Sequence, residues 1–220
     1  MCGRYLIDDE AYADILIILN NLNKEKKIYG SVDYSGVAGS DANEFSRGEI
    51  FPTYIAPVFE QSGAVAVKWG FPHWKNPSVI INARSETAAE KNMFRKALRE
   101  RRCVVPSSGF FEWSRTGGNT GANGVYQNRG RKRSDKYLFT LPDEHMVYMA
   151  GIIGTFKDAS GEMYDAFTIL TTAANDSVAP IHDRMPVLLA KDEFNSWISD
   201  STFTSYALNR TQQELSPMIA

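Results

Sequence analysis

Cys103-Val104-Val105-Pro106-Ser107-Ser108-Gly109-Phe110-Phe111-Glu112-Trp113 decides the fold class. Two short runs rich in β-branched and aromatic residues flank a Ser-Ser-Gly break, the pattern of two strands joined by turn residues. The same pattern recurs in both directions. Ala64 to Trp69 and Val79 to Ile81 precede the stretch, and Lys136 to Leu141, Met146 to Phe156, Tyr164 to Thr172 and Met185 to Leu189 follow it. Helical spacing occurs in fewer places. Asp8 to Leu22 has an acidic start and apolar residues at helical intervals. Ser85 to Arg102 reads as a second helix, with Ser85 as N-cap, Glu86 in the first turn and basic last turns. Asp192 to Ile198 is a short third. Lys24 to Gly48, Gly117 to Arg133 and Ala173 to Arg184 are loops by composition, the middle one basic and mobile. With neither repeats nor a linker, residues 1–220 read as a single α+β domain. Its expected centre is a curled, barrel-like antiparallel sheet with a few peripheral helices.

A hydrophobic content of 43% with 23% charged residues is that of an ordinary soluble globular protein. The apolar run Ile15 to Leu19 is too short to span a membrane and lacks the basic flank of a signal peptide. Cys2 and Cys103 provide neither a disulfide framework nor a metal cluster. Metal and cofactor are therefore expected to be absent, and a reducing cytoplasmic setting suits the thiols. The net charge of -2 is unevenly spread. Arg84 to Lys136 holds 13 Lys and Arg against 5 Asp and Glu, leaving 11 against 21 elsewhere. Such local excess is the footprint of a polyanion, or else a solvated helix face plus a basic loop.

Several residues stand out chemically. Cys2 lies one cleavage from the N-terminus, and removal of Met1 would give it a free α-amine beside its thiol. Such a 1,2-aminothiol condenses with an aldehyde to a Schiff base, which the thiol closes to a thiazolidine. With an α-amine pKa of about 7.7–8.0, roughly a tenth to a fifth of the amine is neutral at pH 7. Asn82 and Arg84, two apart at a strand end, can face one side, or else cap the following helix. Glu112 sits among aromatics and reads as a desolvated proton carrier or as a carboxylate on a wet strand face. His182 is bracketed by Pro180 and Pro186, which stiffen its loop, with Asp183 beside it as an orienter or as a partner for Arg184. His73, His145 and Cys103 read as structural.

Met1-Cys2-Gly3-Arg4, Lys68-Trp69-Gly70-Phe71, Asn82-Ala83-Arg84-Ser85-Glu86-Thr87, Arg101 to Pro106, Gly109 to Trp113 and Ala179 to Pro186 occur in order along the chain. Together they resemble the SRAP family (SOS-response-associated peptidases), whose members crosslink to abasic sites in single-stranded DNA. The resemblance implies a β-rich domain with a positive channel for single-stranded DNA and a monomeric protein that needs no metal. By the same resemblance, Cys2 attacks after Met1 is lost, Asn82 hydrogen-bonds the linkage, Glu112 shuttles protons and His182 assists sugar ring opening. Arg4, Arg84 and Arg184 would hold phosphates, and Trp69, Trp113, Pro52 and Thr171 would line the DNA path. Within Phe51 to Pro57 only Pro52 and Thr53 align with the family pattern. An autopeptidase that removes Met1 belongs to the same implied picture.

Two other readings begin from the same residues. Amidotransferases of the N-terminal-nucleophile type also start Met-Cys-Gly and use the freed cysteine on a side-chain amide. A non-catalytic single-strand-binding module would leave Cys2 incidental and bind DNA with a strong salt dependence.

Overall fold

The computed structural model describes residues 2–25, 45–114 and 134–220. Its elements run β1 (Arg4–Ile7), α1 (Asp9–Glu25), β2 (Gly48–Ile50), β3 (Ile55–Glu60), β4 (Gly63–Trp69), β5 (Phe71–Pro72), β6 (Val79–Ile80) and β7 (Asn82–Arg84). There follow α2 (Ser85–Ala88), α3 (Asn92–Glu100), β8 (Arg102–Ser107), β9 (Gly109–Trp113), β10 (Lys136–Thr140), β11 (Val147–Lys157) and β12 (Met163–Ala173). The chain ends with β13 (Arg184–Pro186), β14 (Leu188–Leu189), a short 3-10 turn, α4 (Phe194–Ser199), α5 (Ser201–Asn209) and β15 (Ser216–Ile219). The basic segment 117–133 lies outside the described residues, as does most of 24–48.

The strands form a five-stranded sheet, β15-β10-β9-β1-β2, and an eight-stranded sheet centred on β4, β3, β8, β11 and β12. The stretch from Cys103 to Trp113 joins the two, because β8 belongs to the large sheet and β9 to the small one. Alternation along these strands sends Tyr5, Ile7, Ile50, Phe110 and Phe139 into a shared interior with Trp69, Phe167, Val105 and Met149, all fully buried. One continuous hydrophobic cluster therefore spans both sheets.

The α+β, β-rich expectation holds, with two differences. The large sheet is mixed: β12 runs antiparallel to β11 and β13 but parallel to β4 and β7. The chain reaches β12 from β4 and β7 through long helix-containing crossovers, the connection that parallel pairing requires. The expected helix Ser85 to Arg102 is broken into α2 and α3. Its buried positions explain the break. Ser85 and Ala88 share one helical face, whereas Phe94, Ala97 and Leu98 lie on another, so an intervening turn re-phases the chain. That turn lets Phe94 pack on Phe71, with ring centroids 5.9 Å apart. Nor does Ser85 cap the helix: the N-cap position falls to Arg84, and no side chain makes a capping bond there.

The charged run before β8 is largely structural at its end. The Arg102 guanidinium is buried and donates to the carbonyls of Leu98 and Arg99 at the end of α3, and of Trp197 and Ile198 in α4. One cation thus satisfies the carbonyl ends of two helices, where partial negative charge accumulates. Arg101 is committed to Glu60 and Asp165. Only Arg95, Lys96 and Arg99 of this run face solvent, and Lys96 and Arg99 both lie against Glu100. Replacing Arg102 by Ala strands four carbonyls in an apolar setting and should cost about 3 kcal/mol or more. A fall in the urea midpoint with an unchanged slope would register it.

Candidate functional site

The site forms where the N-terminal segment enters the barrel. Antiparallel pairing of β1 with β9 sets Arg4 opposite Phe111 and Tyr5 opposite Phe110, which carries Cys2 to the end of β9 where Glu112 sits. Cys2 is fully buried. Its thiol turns to the Arg4 carbonyl at 3.6 Å. Burial, reinforced by the Glu112 carboxylate, pushes the thiol well above its ordinary range. The environment therefore keeps it protonated rather than giving it the modest activation that an exposed cysteine needs.

Asn82 closes the arrangement from the other sheet. β7 runs parallel to β12 with Asn82 beside Ile169, and its Nδ2 donates to the Cys2 carbonyl at 2.8 Å. Glu112 is buried rather than on a wet strand face. One of its carboxylate oxygens lies 3.8 Å from His182 Nε2. His182 is oriented mainly by the backbone. Its own N–H donates to Val178 O at 3.0 Å, and its Nδ1 accepts from the Arg184 N–H at 3.0 Å. Occupied as an acceptor, Nδ1 leaves the hydrogen of the neutral ring on Nε2, the nitrogen facing Glu112. Asp183 Oδ1 lies 3.2 Å from the same Nδ1.

The expected DNA-path residues divide. Arg4 stays partly open: its guanidinium lies 4.3 Å from the Phe51 ring and 5.2 Å from that of Trp113, and it touches Glu49 at 3.3 Å. A hydrogen bond from Lys136 holds the Glu49 carboxyl below its usual range. Arg84 is exposed. Pro52 is half-buried in the turn Phe51 to Tyr54, closed by the Tyr54 N–H on Phe51 O at 3.1 Å. Thr53 takes φ +75° in that turn, a left-handed conformation that a β-branched residue rarely adopts and that marks stored strain.

Three residues do not present themselves to a ligand. Trp69 is fully buried, its Nε1 donating to Ile81 O at 3.1 Å, so it supports β7 from beneath. Thr171 is also fully buried, and its carbonyl accepts from Arg184. Arg184 itself is largely buried and clamps both carboxylate oxygens of Glu86. That hydrogen-bonded pairing brings the Glu86 carboxyl down to about 2. Sequence reasoning overlooked Trp74, which stands 76% exposed on the β5–β6 hairpin with the Lys75 ammonium 4.3 Å from its ring. The signal was there: of two tryptophans five residues apart, one ends an apolar strand and the other lies among Pro, His, Lys and Asn. Among the described residues no group of His, Cys, Asp and Glu could hold a metal ion. Among them, too, no helix is long and apolar enough to cross a membrane.

Residues 1–218 match the family described as SOS response associated peptidase (SRAP). The chain is 31% identical over 170 residues to the abasic site processing protein YoaM of Bacillus subtilis, covering 70% of this chain and 69% of that protein. It is 30% identical over 146 residues to the abasic site processing protein YedK of Escherichia coli, covering 66% of this chain and 55% of that one. The HMCES protein of Xenopus tropicalis is 30% identical over 141 residues, covering 58% of this chain and 42% of its own length. The matches thus span only part of these relatives. A crystal structure from Bacteroides thetaiotaomicron superposes with a TM-score of 0.72 over 99% of this chain and 91% of its own at 22% identity. One from Bordetella bronchiseptica gives 0.69 over 100% and 99%, also at 22% identity. Both share the fold.

The clamp between Arg184 and Glu86 has a pH signature. A depressed folded-state carboxyl adds stability above its unfolded pKa of about 4.3, lost as pH falls toward the folded value. Glu86→Gln should therefore lower stability at pH 7 by about 1 kcal/mol or less, since Glu86 is half-exposed. The difference between variant and parent should shrink between about pH 4.5 and 2, read from urea melts across that range.

Proposed function

Because the chain belongs to the SOS response associated peptidase (SRAP) family, we propose that it processes abasic DNA by trapping the lesion's aldehyde on Cys2. The observation that carries this reading is the clamp of the Asn82 amide on the Cys2 carbonyl, which orients the chain's second residue beside a buried carboxylate and an imidazole. A structural cysteine needs no such group on its carbonyl; a residue whose amine and thiol must both reach one carbon does.

Once Met1 is removed, the Cys2 amine attacks C1 of the ring-opened sugar, and the carbinolamine loses water to give an iminium. The Cys2 sulfur then bonds to the same carbon, the C=N π pair returns to nitrogen, and the thiol proton leaves. Glu112 is the nearby acceptor for that proton, its own negative charge having made the thiol reluctant to ionise unaided. His182 Nε2, 3.8 Å from Glu112, passes protons between that carboxylate and the sugar oxygen. Burial of Cys2 keeps bulk water from the iminium and so favours the closed ring over hydrolysis.

Strand binding falls to the accessible groups. Arg4 and Arg84 meet phosphates, and Trp113 and Trp74 offer ring faces to bases. Arg184 acts at one remove by fixing α2 against β12, and Trp69 by supporting β7.

Protein whose intact mass shows Met1 removed is expected to form a denaturant-stable adduct with an abasic single-stranded oligonucleotide and none with an undamaged one. Cys2→Ala, or retention of Met1, should abolish it, and no adduct from processed protein would defeat the reading. Trp74→Ala should weaken binding of an undamaged single strand about tenfold with an unchanged Tm, measured by fluorescence anisotropy. Trp69→Ala, by contrast, should lower stability by about 3–5 kcal/mol.

A further inference from the structure

Glu49 places a carboxylate on a face that the reading above gives to an anionic strand. Tyr5, Ile50, Phe110 and Glu112 are buried toward the barrel, so Arg4, Glu49, Phe111 and Trp113 alternate onto the outer side of the five-stranded sheet. Lys136 joins them, directly opposite Trp113 on the neighbouring strand. The side chains meet there. Glu49 accepts from Arg4 Nη1 at 3.3 Å through one oxygen and from Lys136 Nζ through the other. The Lys136 ammonium also lies 3.8 Å from the centre of the Phe111 ring, and the Arg4 guanidinium is within cation–π reach of both Phe51 and Trp113. The cluster is held by rigid strands yet is open to a ligand, since Glu49, Arg4 and Lys136 keep 32%, 37% and 21% of their side-chain surface exposed.

A phosphate is the wrong ligand for Glu49. It would bring a second negative charge and no N–H to a group that only accepts. A base is a better one. An ionised carboxylate has about four lone-pair positions, and the two contacts here use one on each oxygen, so each oxygen can take a further donor. The Lys136 ammonium supplies a donor beside them. The neighbouring indole and guanidinium planes are surfaces on which an unpaired base stacks, leaving its Watson–Crick edge to be read. Guanine fits two acceptors beside a donor: its N1–H and N2 amino group face the carboxylate while O6 takes the ammonium. Adenine and cytosine bring one amino group. Thymine brings a single N–H between two carbonyls, which the carboxylate repels.

We propose that Glu49 and Lys136 form a base-reading subsite that favours guanine at one of the nucleotides flanking the lesion. Arg4, braced by Glu49, keeps its remaining N–H groups for the backbone of the same strand. The cluster thus selects sequence context, while Cys2 selects the aldehyde.

This inference takes the position of the strand from the aldehyde-trap reading, and two substrates separate them. One is a single-stranded oligonucleotide with a natural abasic site; the other carries a tetrahydrofuran analogue that has no aldehyde. In each, the base on either side of the lesion is varied in turn. At subsaturating concentration, processed parent protein should crosslink the first faster, and bind the second more tightly by fluorescence anisotropy. Both effects should be about tenfold for G over T at one of the two positions, with A and C between. Inosine, which lacks only the N2 amino group, should lose about threefold against G, whereas 7-deazaguanine, altered on the opposite edge, should match it. Glu49→Gln should bring G within about twofold of A. Stacking alone would favour G and A equally and survive both Glu49→Gln and inosine; that result overturns the subsite and, where adduct forms, leaves the trap standing. A guanine preference on the analogue with no adduct on the natural site overturns the trap and keeps the subsite. Neither preference nor adduct defeats both.

Discussion

Pairing of β1 with β9 is the constraint on which the site depends. It spans about half the chain, joining Arg4 and Tyr5 to Phe111 and Phe110. From it follow the burial of Cys2, the proximity of Cys2 to Glu112, and the inward direction of Tyr5. Strand alternation supplies the rest. Residues of β9 point alternately into the barrel and out, so Glu112 goes in while Phe111 and Trp113 meet Arg4 and Lys136 outside. A one-residue slip in this register would turn Glu112 out and Trp113 in, exchanging the site for a buried indole.

Arginine serves three different ends in one small protein. Arg102 is buried and neutralises helix-end dipoles; Arg101 and Arg184 are held by carboxylates; Arg4 and Arg84 keep a face to solvent. The charge pattern of the sequence cannot separate these uses, because each depends on what folds opposite. The local basic excess is therefore weaker as a sign of a polyanion than its count implies. Among the described residues, what survives is a smaller set of cations around the entry of the N-terminal segment and on the outer face of α3.

The strands flanking Ser107 to Gly109 were legible in the sequence because β-branched and aromatic residues cluster there and the turn residues are unambiguous. The first helix was legible from its periodicity. β1 was not, since four residues carry too little pattern to announce a strand, although Tyr5-Leu6-Ile7 has the right composition. The mixed pairing of β12 was also hidden, because strand direction is settled by crossovers rather than by local composition. At the site, Cys2, Asn82, Glu112 and His182 are brought near one another although they lie far apart in the sequence. Trp69 and Thr171 show where that logic stops: a motif gives residue type and order, whereas exposure is decided by which face the strand turns outward.

The long reach between β1 and β9 also has a meaning in time. During synthesis Cys2 leaves the ribosome early, but the strand that helps to cover it ends more than a hundred residues later, at Trp113. At ordinary elongation rates that interval is on the order of ten seconds. Throughout it the amino-terminal residues are open to any enzyme that trims them, and afterwards the fold closes around the thiol. On the function proposed above, the order of manufacture would leave trimming to the nascent chain and DNA chemistry to the folded protein, with the β1–β9 pairing as the clock between them.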